Sequence, residues 1–241
     1  MKGIILSGGR GTRLSPLTKI TSKQLLPIYN RPMIYYPLNT LLRAGIKEIL
    51  IIVAPERAGD YLNILGSGKE FGAKFTYEIQ DKPEGLPQAF TIGESFLCGD
   101  SVTLILGDNI FEYDFTEDIR SFRSGGRVFA KEVKDPERFG VVEFSAAMKV
   151  LSIEEKPKIP KSHYAIPGLY IYDHRVVQFS KELKPSARGE LEIVDLHRKY
   201  LERGELDVRM VAGEWVDAGT FDALLYANNL AKEKLAKNLL F

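Results

Sequence analysis

"GIILSGGRGTRLSPLT", residues 3–18, opens the chain with a short apolar run and a glycine-rich loop. Its apolar run, residues 3–6, predicts a short strand that is buried on both faces. Glycine, threonine and arginine follow directly, so the strand ends in a loop with small side chains and local positive charge. Because glycine lets backbone N–H groups approach an anion closely, this loop is typical of a phosphate site. The alternative is a tight strand-to-helix turn with solvated cations.

Two common phosphate motifs do not match this chain. The dinucleotide fingerprint G-x-G-x-x-G requires a third glycine where the chain has Leu14, and no acidic residue that could bind a ribose lies between the loop and Glu48. The segment "NILGSGKE" has Asn63 in place of the first P-loop glycine and Glu70 in place of the magnesium-binding hydroxyl. An NAD-dependent oxidoreductase is therefore disfavoured.

Apolar runs alternate with helical patterns in the first half of the chain. Further strands are predicted at residues 48–54, 75–80 and 101–109, and helices at residues 32–46, 56–66 and 87–97. A β-α-β-α alternation of this kind is typical of a parallel, doubly wound sheet.

The second half contains strand patterns that lie closer together. Strands are predicted at residues 127–133, 140–144, 150–156 and 165–173, some of them joined by hairpins, and helices at residues 192–204 and 220–240. No linker separates the halves, so residues 1–241 are interpreted as one domain. The predicted fold class is α/β and Rossmann-like, with a mostly parallel mixed sheet flanked by helices.

Composition excludes several classes of protein. The 241 residues carry a net charge of +1, so no overall basic field would attract nucleic acid or a membrane surface. No apolar run approaches the roughly 18 residues of a membrane-spanning helix, and the N-terminal apolar stretch is too short for a signal peptide. Cys98 is the only cysteine, which excludes internal disulfides and fits a cytoplasmic setting. The three histidines have neither metal-site nor triad spacing.

The opening loop belongs to a longer pattern. In "GGRGTRLSPLT" followed by "KQLLP", the positions of Gly8, Gly9, Gly11, Thr12 and Arg13 resemble the signature loop of the sugar nucleotidyltransferases. The segments "LGDNIF", "DPERFGVVEF", "EEKPKIPKSHYA", "LKPSARGELEI" and "WVDAGT" also resemble segments of that family, in the same order. The resemblance spans nearly the whole chain and implies the nucleotide-diphospho-sugar transferase type of fold.

The resemblance implies a reaction and the residues that hold the nucleotide. A thymidylyl group would pass from dTTP to glucose 1-phosphate, releasing pyrophosphate and giving dTDP-glucose, with Arg13 and Lys23 as the catalytic cations. The nucleotide-binding set is Gly8, Gly9, Gly11, Thr12, Arg13, Gln24, Gln80, Gly85 and Asp108. The Gln80 amide can accept from N3–H of thymine and donate to O4, but uracil offers the same edge, so UTP remains an alternative to dTTP.

Two aspartates are candidate ligands of a metal ion. Asp108 follows a predicted buried strand, and ligands bind at the carboxyl ends of parallel strands. Asp217 follows an apolar run and precedes the last helix, where the alternative role is an N-cap. Mg²⁺ suits two carboxylates together with phosphate oxygens, and the resemblance implies that both aspartates bind it.

The resemblance also implies a sugar-phosphate site in the second half. Its residues are Asn109, Gly140, Glu155, Lys156, Ile166, Arg188 and Trp215. The nucleotide-binding part then covers about residues 1–110, the sugar-binding part about residues 111–220 and a C-terminal helix residues 220–240. A sugar 1-phosphate is largely dianionic at neutral pH, so it is its own nucleophile and needs no general base.

Some features depart from the family pattern or leave a choice open. Pro167 stands where a small hydroxyl residue is usual, and Phe221 where histidine is common. The chain stops at Phe241, so the helical extension that builds an allosteric site in longer relatives is not expected. A homo-oligomer, tetramer or dimer, is implied. Two alternatives remain: another nucleotidyltransferase, using UTP or a different sugar phosphate, and a non-catalytic sensing module, which an intact set of cations and carboxylates disfavours.

Overall fold

A computed structural model describes residues 1–9 and 11–236 of the chain. The strands are β1 (Lys2–Ser7), β2 (Pro27–Ile28), β3 (Arg31–Pro32), β4 (Glu48–Val53), β5 (Lys74–Ile79), β6 (Val102–Leu106), β7 (Asn109–Phe111), β8 (Gly126–Glu132), β9 (Gly140–Phe144), β10 (Val150–Glu155), β11 (Tyr164–Ala165), β12 (Leu169–Tyr172), β13 (Leu206–Met210) and β14 (Trp215–Asp217). The helices are α1 (Tyr35–Arg43), α2 (Ala58–Leu65), α3 (Gln88–Ile92), α4 (Glu94–Leu97), α5 (Thr116–Ser121), α6 (Val176–Lys181), α7 (Ile193–Leu201) and α8 (Phe221–Ala236).

One large mixed sheet organises the described residues. Its strand order is β10-β9-β11-β8-β12-β6-β1-β4-β5, with β13 beside β8. Strands β6, β1, β4 and β5 run parallel, and β13 runs parallel to β8. The other pairs that β8 to β12 form are antiparallel. The prediction of an α/β fold with a mixed sheet flanked by helices is confirmed. Because β1, β5 and β6 run in one direction, their carboxyl ends meet at one edge of the sheet.

Hydrophobic cores cover both faces of the sheet. Ile4 of β1 belongs to the core under α3, α4, α6 and α7, and Ile5 belongs to the opposite core under α1 and α2. Such burial on both faces explains why β1 and β4 are continuous apolar runs rather than alternating ones. A third, smaller core packs α8 against β2 and β14, and so fixes the end of the described chain beside the site.

Two predicted elements are each divided into two in the structure. The helix predicted at residues 87–97 divides into α3 and α4 at Gly93, where a Cβ atom would lie 3.0 Å from Leu50 Cδ2, so the chain packs tightly on the sheet there. The strand predicted at residues 165–173 divides into β11 and β12 around Pro167, which has no N–H to donate. The predicted helix at residues 220–240 corresponds to α8, and residues 237–240 lie outside the described residues. Within the described part of the chain, no helix combines the length and apolarity needed to cross a membrane.

His197 of α7 is enclosed in the core. Its ring is 0% exposed, stacks on Tyr172 with centroids 6.0 Å apart, and has no hydrogen-bond partner for either nitrogen among the described residues. Burial, with a smaller contribution from Arg198, lowers the pKa of His197 to about 3. The imidazole is therefore neutral near pH 7.

We expect this histidine to make the protein acid-sensitive. As pH falls below the ordinary histidine pKa, the unfolded chain takes up a proton that the folded chain does not, so stability is lost as pH falls. Between pH 7.5 and 5 the wild type should lose about 2 kcal/mol more than the His197→Phe variant, measured by urea denaturation. His174→Phe, the same substitution at an exposed histidine, is the matched control. Equal pH dependence in His197→Phe and the wild type would contradict the expectation.

Candidate active site

The opening loop lies against the end of β5. A Cβ atom on Gly8 would lie 2.0 Å from Gln80 Oε1, so only glycine permits this close approach of the loop to Gln80. Gln80 follows β5 directly and is 3% exposed. Gly11 adopts the left-handed backbone conformation with φ 62° and leads into the turn Thr12–Leu14. The loop therefore turns at the sheet edge where the sequence predicts a ligand.

Two cations of the loop reach the acidic residues. The Lys23 ammonium forms an ion pair with Asp108, which follows β6. Burial opposes ionisation of Asp108, but the charge and hydrogen bond of Lys23 outweigh it and hold the pKa of Asp108 below its ordinary value. A Cβ atom on Gly219 would lie 2.6 Å from a terminal nitrogen of Arg13 and 3.0 Å from Asp217 Oδ1, so glycine leaves room for both groups.

The two predicted metal ligands lie together. Asp217 belongs to β14, which pairs with β7 so that Asp217 faces Asn109, and the Ala218 N–H donates to the Asp108 carbonyl at 2.9 Å. Burial and the Asp108 carboxylate raise the pKa of Asp217 to about 6, against the opposing charges of Lys23 and Arg13. The Asp217 carboxyl therefore loses its proton less readily than an ordinary aspartate does.

The alternative role of Asp217 as an N-cap is wrong. The side chain of Thr220 accepts a hydrogen bond from the Ala223 N–H at 3.3 Å, so Thr220 caps α8. Asp217 instead lines the first of the two cavities described below.

The Asn109 side chain connects three segments of the site by hydrogen bonds. Its Oδ1 accepts from Trp215 Nε1 at 2.7 Å and from the Gly168 N–H at 3.0 Å, while its Nδ2 donates to Asp108 Oδ1 at 3.2 Å. Because its oxygen has two donors already, only the remaining N–H is available to a sugar. The sequence does not predict this structural role.

Two adjoining cavities contain most of the predicted residues. The first has a volume of about 480 Å³, and its walls include Arg13, Asn109, Gly140, Glu155, Lys156, Ile166, Trp215 and Asp217. The second has a volume of about 210 Å³, and its walls include Gly9, Lys23, Gln24, Gln80, Gly85 and Asp108. Leu86 and Leu106 line both cavities, so the predicted sugar and nucleotide residues meet across these two side chains.

Other predicted residues lie outside these walls. Gly11 packs against Lys23 and Thr18, and Thr12 is exposed in the turn. Arg188 lies next to the first cavity, where its Nε donates to Glu192 Oε1 at 3.1 Å and a terminal nitrogen donates to Oε2 at 2.7 Å. The same guanidinium lies 3.4 Å from Glu155 Oε1. Arg188 is thus held by two carboxylates at the rim of the site.

Several residues of the site are absent from the sequence prediction. Phe139 and Tyr170 line the first cavity, and Phe139 packs on Trp215 with ring centroids 5.2 Å apart. His197 borders the same cavity, and its position on the apolar face of the α7 pattern was the signal available in the sequence. Glu192, the partner of Arg188, had no signal other than its i, i+4 spacing.

The site defines a class of protein. A glycine loop, two cations and two carboxylates at the carboxyl edge of a parallel sheet are suited to phosphoryl chemistry on a nucleotide. Residues 2–234 match the family model described as nucleotidyl transferase, and the chain belongs to this family. This confirms the predicted family and enzyme class.

Two similar proteins within this family carry the name of one particular nucleotidyltransferase. The glucose-1-phosphate thymidylyltransferase of Neisseria meningitidis is 54% identical over 230 residues, which cover 93% of this chain and 80% of that protein. The enzyme of the same name from Mycolicibacterium smegmatis is 51% identical over 237 residues, covering 96% of this chain and 82% of that protein.

Solved structures confirm the fold. A Bacillus anthracis protein crystallised with sucrose, and provisionally assigned as a glucose-1-phosphate thymidylyltransferase, superposes with a TM-score of 0.91 at 49% identity, covering 97% of this chain and 96% of that chain. A UDP-glucose pyrophosphorylase bound to UDP-glucose superposes with a TM-score of 0.85 at 24% identity, covering 97% of this chain and 98% of that chain. The second likeness concerns the fold alone.

Proposed function

We propose that the protein transfers a thymidylyl group from dTTP to glucose 1-phosphate, giving dTDP-glucose and pyrophosphate. The observation that carries the proposal is that Arg13 and Asp217 line one cavity, while the ion pair of Lys23 and Asp108 lines the cavity that adjoins it. The cavities would hold the sugar phosphate and the nucleotide, and the cluster would surround the reacting phosphates. Relatives that bear the name glucose-1-phosphate thymidylyltransferase support this choice of substrates.

The proposed reaction is a direct displacement. An oxygen of the sugar phosphate attacks the α-phosphorus and forms a new O–P bond. The bond from that phosphorus to the bridging oxygen breaks, and pyrophosphate leaves with the electron pair. No proton need be removed from the dianionic nucleophile, so alignment and charge neutralisation supply the catalysis.

Each cation has a place in this scheme. Arg13, beside Asp217, would hold the departing phosphates, and Lys23, beside Asp108, would stabilise the α-phosphate. Lys156 lines the first cavity next to Glu155 and would bind the sugar phosphate. Glu155 can accept from two hydroxyls, which suits the edge of a pyranose. The buried and neutral His197 takes no part as a base.

The carboxylates at the junction fit Mg²⁺. Burial and, after it, the neighbouring Asp108 carboxylate raise the pKa of Asp217, and a divalent cation bound by both carboxylates would offset both effects. Among the described residues no group of three or more His, Cys, Asp or Glu side chains is arranged for a metal. Asp108 and Asp217 would hold the ion together with phosphate oxygens and water. When bound, Mg²⁺ would neutralise charge on the triphosphate.

The second cavity would bind the pyrimidine base of the nucleotide. Gln80 lies in its wall, and its amide can pair with N3–H and O4 of thymine. Uracil offers the same groups, so transfer from UTP is the alternative within the same class.

A panel of substrates tests the proposal. Pyrophosphate release is measured with each of several nucleoside triphosphates and each of several sugar 1-phosphates, in the presence of Mg²⁺. The proposal predicts the highest kcat/KM for dTTP with glucose 1-phosphate, and a product with the mass of dTDP-glucose. A preference for UTP or for another sugar phosphate would select the alternative substrates. No release with any pair would indicate a sensing module and would overturn the proposal.

The division of the chain and its setting are also proposals. The walls of the second cavity come from residues 6–108 and Glu190, which supports a nucleotide-binding part at about residues 1–110. The walls of the first cavity come largely from residues 138–217, which supports a sugar-binding part at about residues 111–220. A cytoplasmic homo-oligomer, dimer or tetramer, is proposed from the resemblance. Light scattering on the purified chain measures its mass in solution.

A further inference from the structure

We propose that Gln88, which lies behind the nucleotide cavity rather than in its wall, fixes which end of the Gln80 amide faces the base. The site would thereby select a pyrimidine that carries N3–H, thymine or uracil, over cytosine. This inference rests on the proposed function, in which Gln80 reads the base. Gln88 is a positioning residue in this scheme, because it acts through Gln80.

Three side-chain hydrogen bonds connect Gln80 to the loop before α3. Gln80 Nε2 donates to Gln88 Oε1 at 2.6 Å. The same Gln88 oxygen accepts from the Glu84 backbone N–H at 3.2 Å, and Gln88 Nε2 donates to Glu84 Oε2 at 3.0 Å. Gln88 is half-buried and Glu84 is exposed, so the connection runs from the surface to the buried amide of Gln80.

The direction of these bonds is fixed by groups that cannot reverse. A backbone N–H can only donate, and an ionised carboxylate can only accept. Glu84 presents its backbone N–H as a donor and its carboxylate as an acceptor to Gln88. Only one orientation of the Gln88 amide makes both hydrogen bonds. Its oxygen then faces Gln80, and Gln80 must present its NH₂ group in return.

The orientation of Gln80 decides which base it can pair with. With one N–H engaged by Gln88, the remaining N–H and Oε1 of Gln80 form the edge available to a ligand. Oε1 can accept from N3–H, and the free N–H can donate to O4, as thymine and uracil require. Cytosine has an acceptor at N3 and a donor at N4, so it needs the reversed amide, which would set the Gln80 oxygen against the Gln88 oxygen.

The anchoring loop is itself held in place. The Leu191 N–H donates to the Glu84 carbonyl at 2.7 Å, and Gly85 forms a bridge with Leu191. A Cβ atom on Gly85 would lie 2.1 Å from the Leu191 carbonyl oxygen, so the two segments touch at a glycine. The backbone of Glu84 is thus held in place, so the groups that orient the Gln88 amide have a fixed position.

The test removes the acceptor at position 88 without changing the length of the side chain. In Gln88→Met, kcat/KM is measured with dTTP and with dCTP, and Kd for both nucleotides is measured by calorimetry. We expect the preference for dTTP over dCTP to fall by about 10–100-fold, because the Gln80 amide is then free to reverse. Thermal unfolding verifies that the variant is folded.

A swapped pair distinguishes positioning from mere packing. The double variant Glu84→Gln/Gln88→Glu keeps an acceptor towards Gln80, because the new carboxylate accepts from Gln80, from the backbone N–H and from the new amide. This variant should keep the preference of the wild type for dTTP within about threefold. The control is Gln178→Met on α6, where Gln178 donates to Glu182 at 3.1 Å in a similar exposed pair far along the chain. It should leave the preference unchanged.

The outcomes separate the two proposals. A preference for dTTP that is unchanged in Gln88→Met, or that is lost equally in the swapped pair, would overturn the role of Gln88. The binding constants give this answer whether or not the protein turns over. Absence of pyrophosphate release from the wild type would instead overturn the proposed function and leave the base preference measurable.

Discussion

Replacing Asp108 by asparagine should lower kcat/KM for thymidylyl transfer by at least about 10²–10³-fold, the usual cost of removing one preorganised charged contact. The substitution removes a proposed ligand of Mg²⁺ and the partner of Lys23 while conserving the shape of the side chain. Initial rates of pyrophosphate release, with circular dichroism as a check on folding, provide the measurement. The Mg²⁺ concentration that gives half-maximal rate should rise together with the loss of activity.

The chain offers a matched control for Asp108→Asn. Asp100 pairs with Lys2 at 3.1 Å, so Asp100→Asn removes an Asp–Lys ion pair away from the cavities. This control should keep the wild-type rate, because neither Asp100 nor Lys2 lines either cavity. Arg13→Ala, on the other side of the junction, should lose as much activity as Asp108→Asn. Wild-type turnover in either Arg13→Ala or Asp108→Asn would contradict the assignment of the site.

Replacing Asp217 by asparagine should remove activity and yet stabilise the metal-free protein. The folded pKa of Asp217 is raised to about 6 by burial and by Asp108. Below the ordinary aspartate pKa this group is protonated in both the folded and the unfolded chain and has no effect on stability. As pH rises from about 4 to 6, the unfolded chain releases its proton before the folded chain does, so stability falls and stays lower above pH 6.

The stabilisation should therefore depend on pH. In the presence of a chelator, Asp217→Asn should unfold at the same urea concentration as the wild type at pH 3, below the ordinary aspartate pKa. At pH 8 it should be more stable by about 1–2 kcal/mol, a value reduced for the partial exposure of the side chain. The loss of activity should again be about 10²–10³-fold. A variant less stable than the wild type at pH 8 would mean that Asp217 is held by its cations more strongly than it is repelled by Asp108.

The predictable part of the site follows from the sheet. Gly8 follows β1, Gln80 follows β5 and Asp108 follows β6, so the strand pattern alone brings these residues to one edge. The positions of Arg13 and Lys23 depend on a loop whose turns cannot be derived from strand order. The placement of Arg13 and Lys23 in the site was predicted from the family resemblance, because hydrophobic periodicity does not predict loop conformation.

The hydrogen bonds that position Asn109 and Gln80 could not be predicted from the sequence, because they join segments that are distant along the chain. Asn109 binds Trp215 and the Gly168 backbone, and neither partner can be identified from the residues around Asn109. The hydrogen bond from Gln80 to Gln88 cannot be predicted from the local sequence either, because it forms only when the turn before α3 lies against the end of β5. Hydrogen-bond partners are set by tertiary packing, whereas strands and helices follow from local patterns.

A divalent ion held by both Asp108 and Asp217 is the claim on which the mechanism rests, and anomalous diffraction measures it most directly. Crystals grown with Mn²⁺ and a dTTP analogue that cannot be cleaved would be measured near the manganese absorption edge. We expect one peak within about 2–2.5 Å of an oxygen of each carboxylate and of a phosphate oxygen. A peak bound by the triphosphate alone, with Asp217 out of reach, would contradict it.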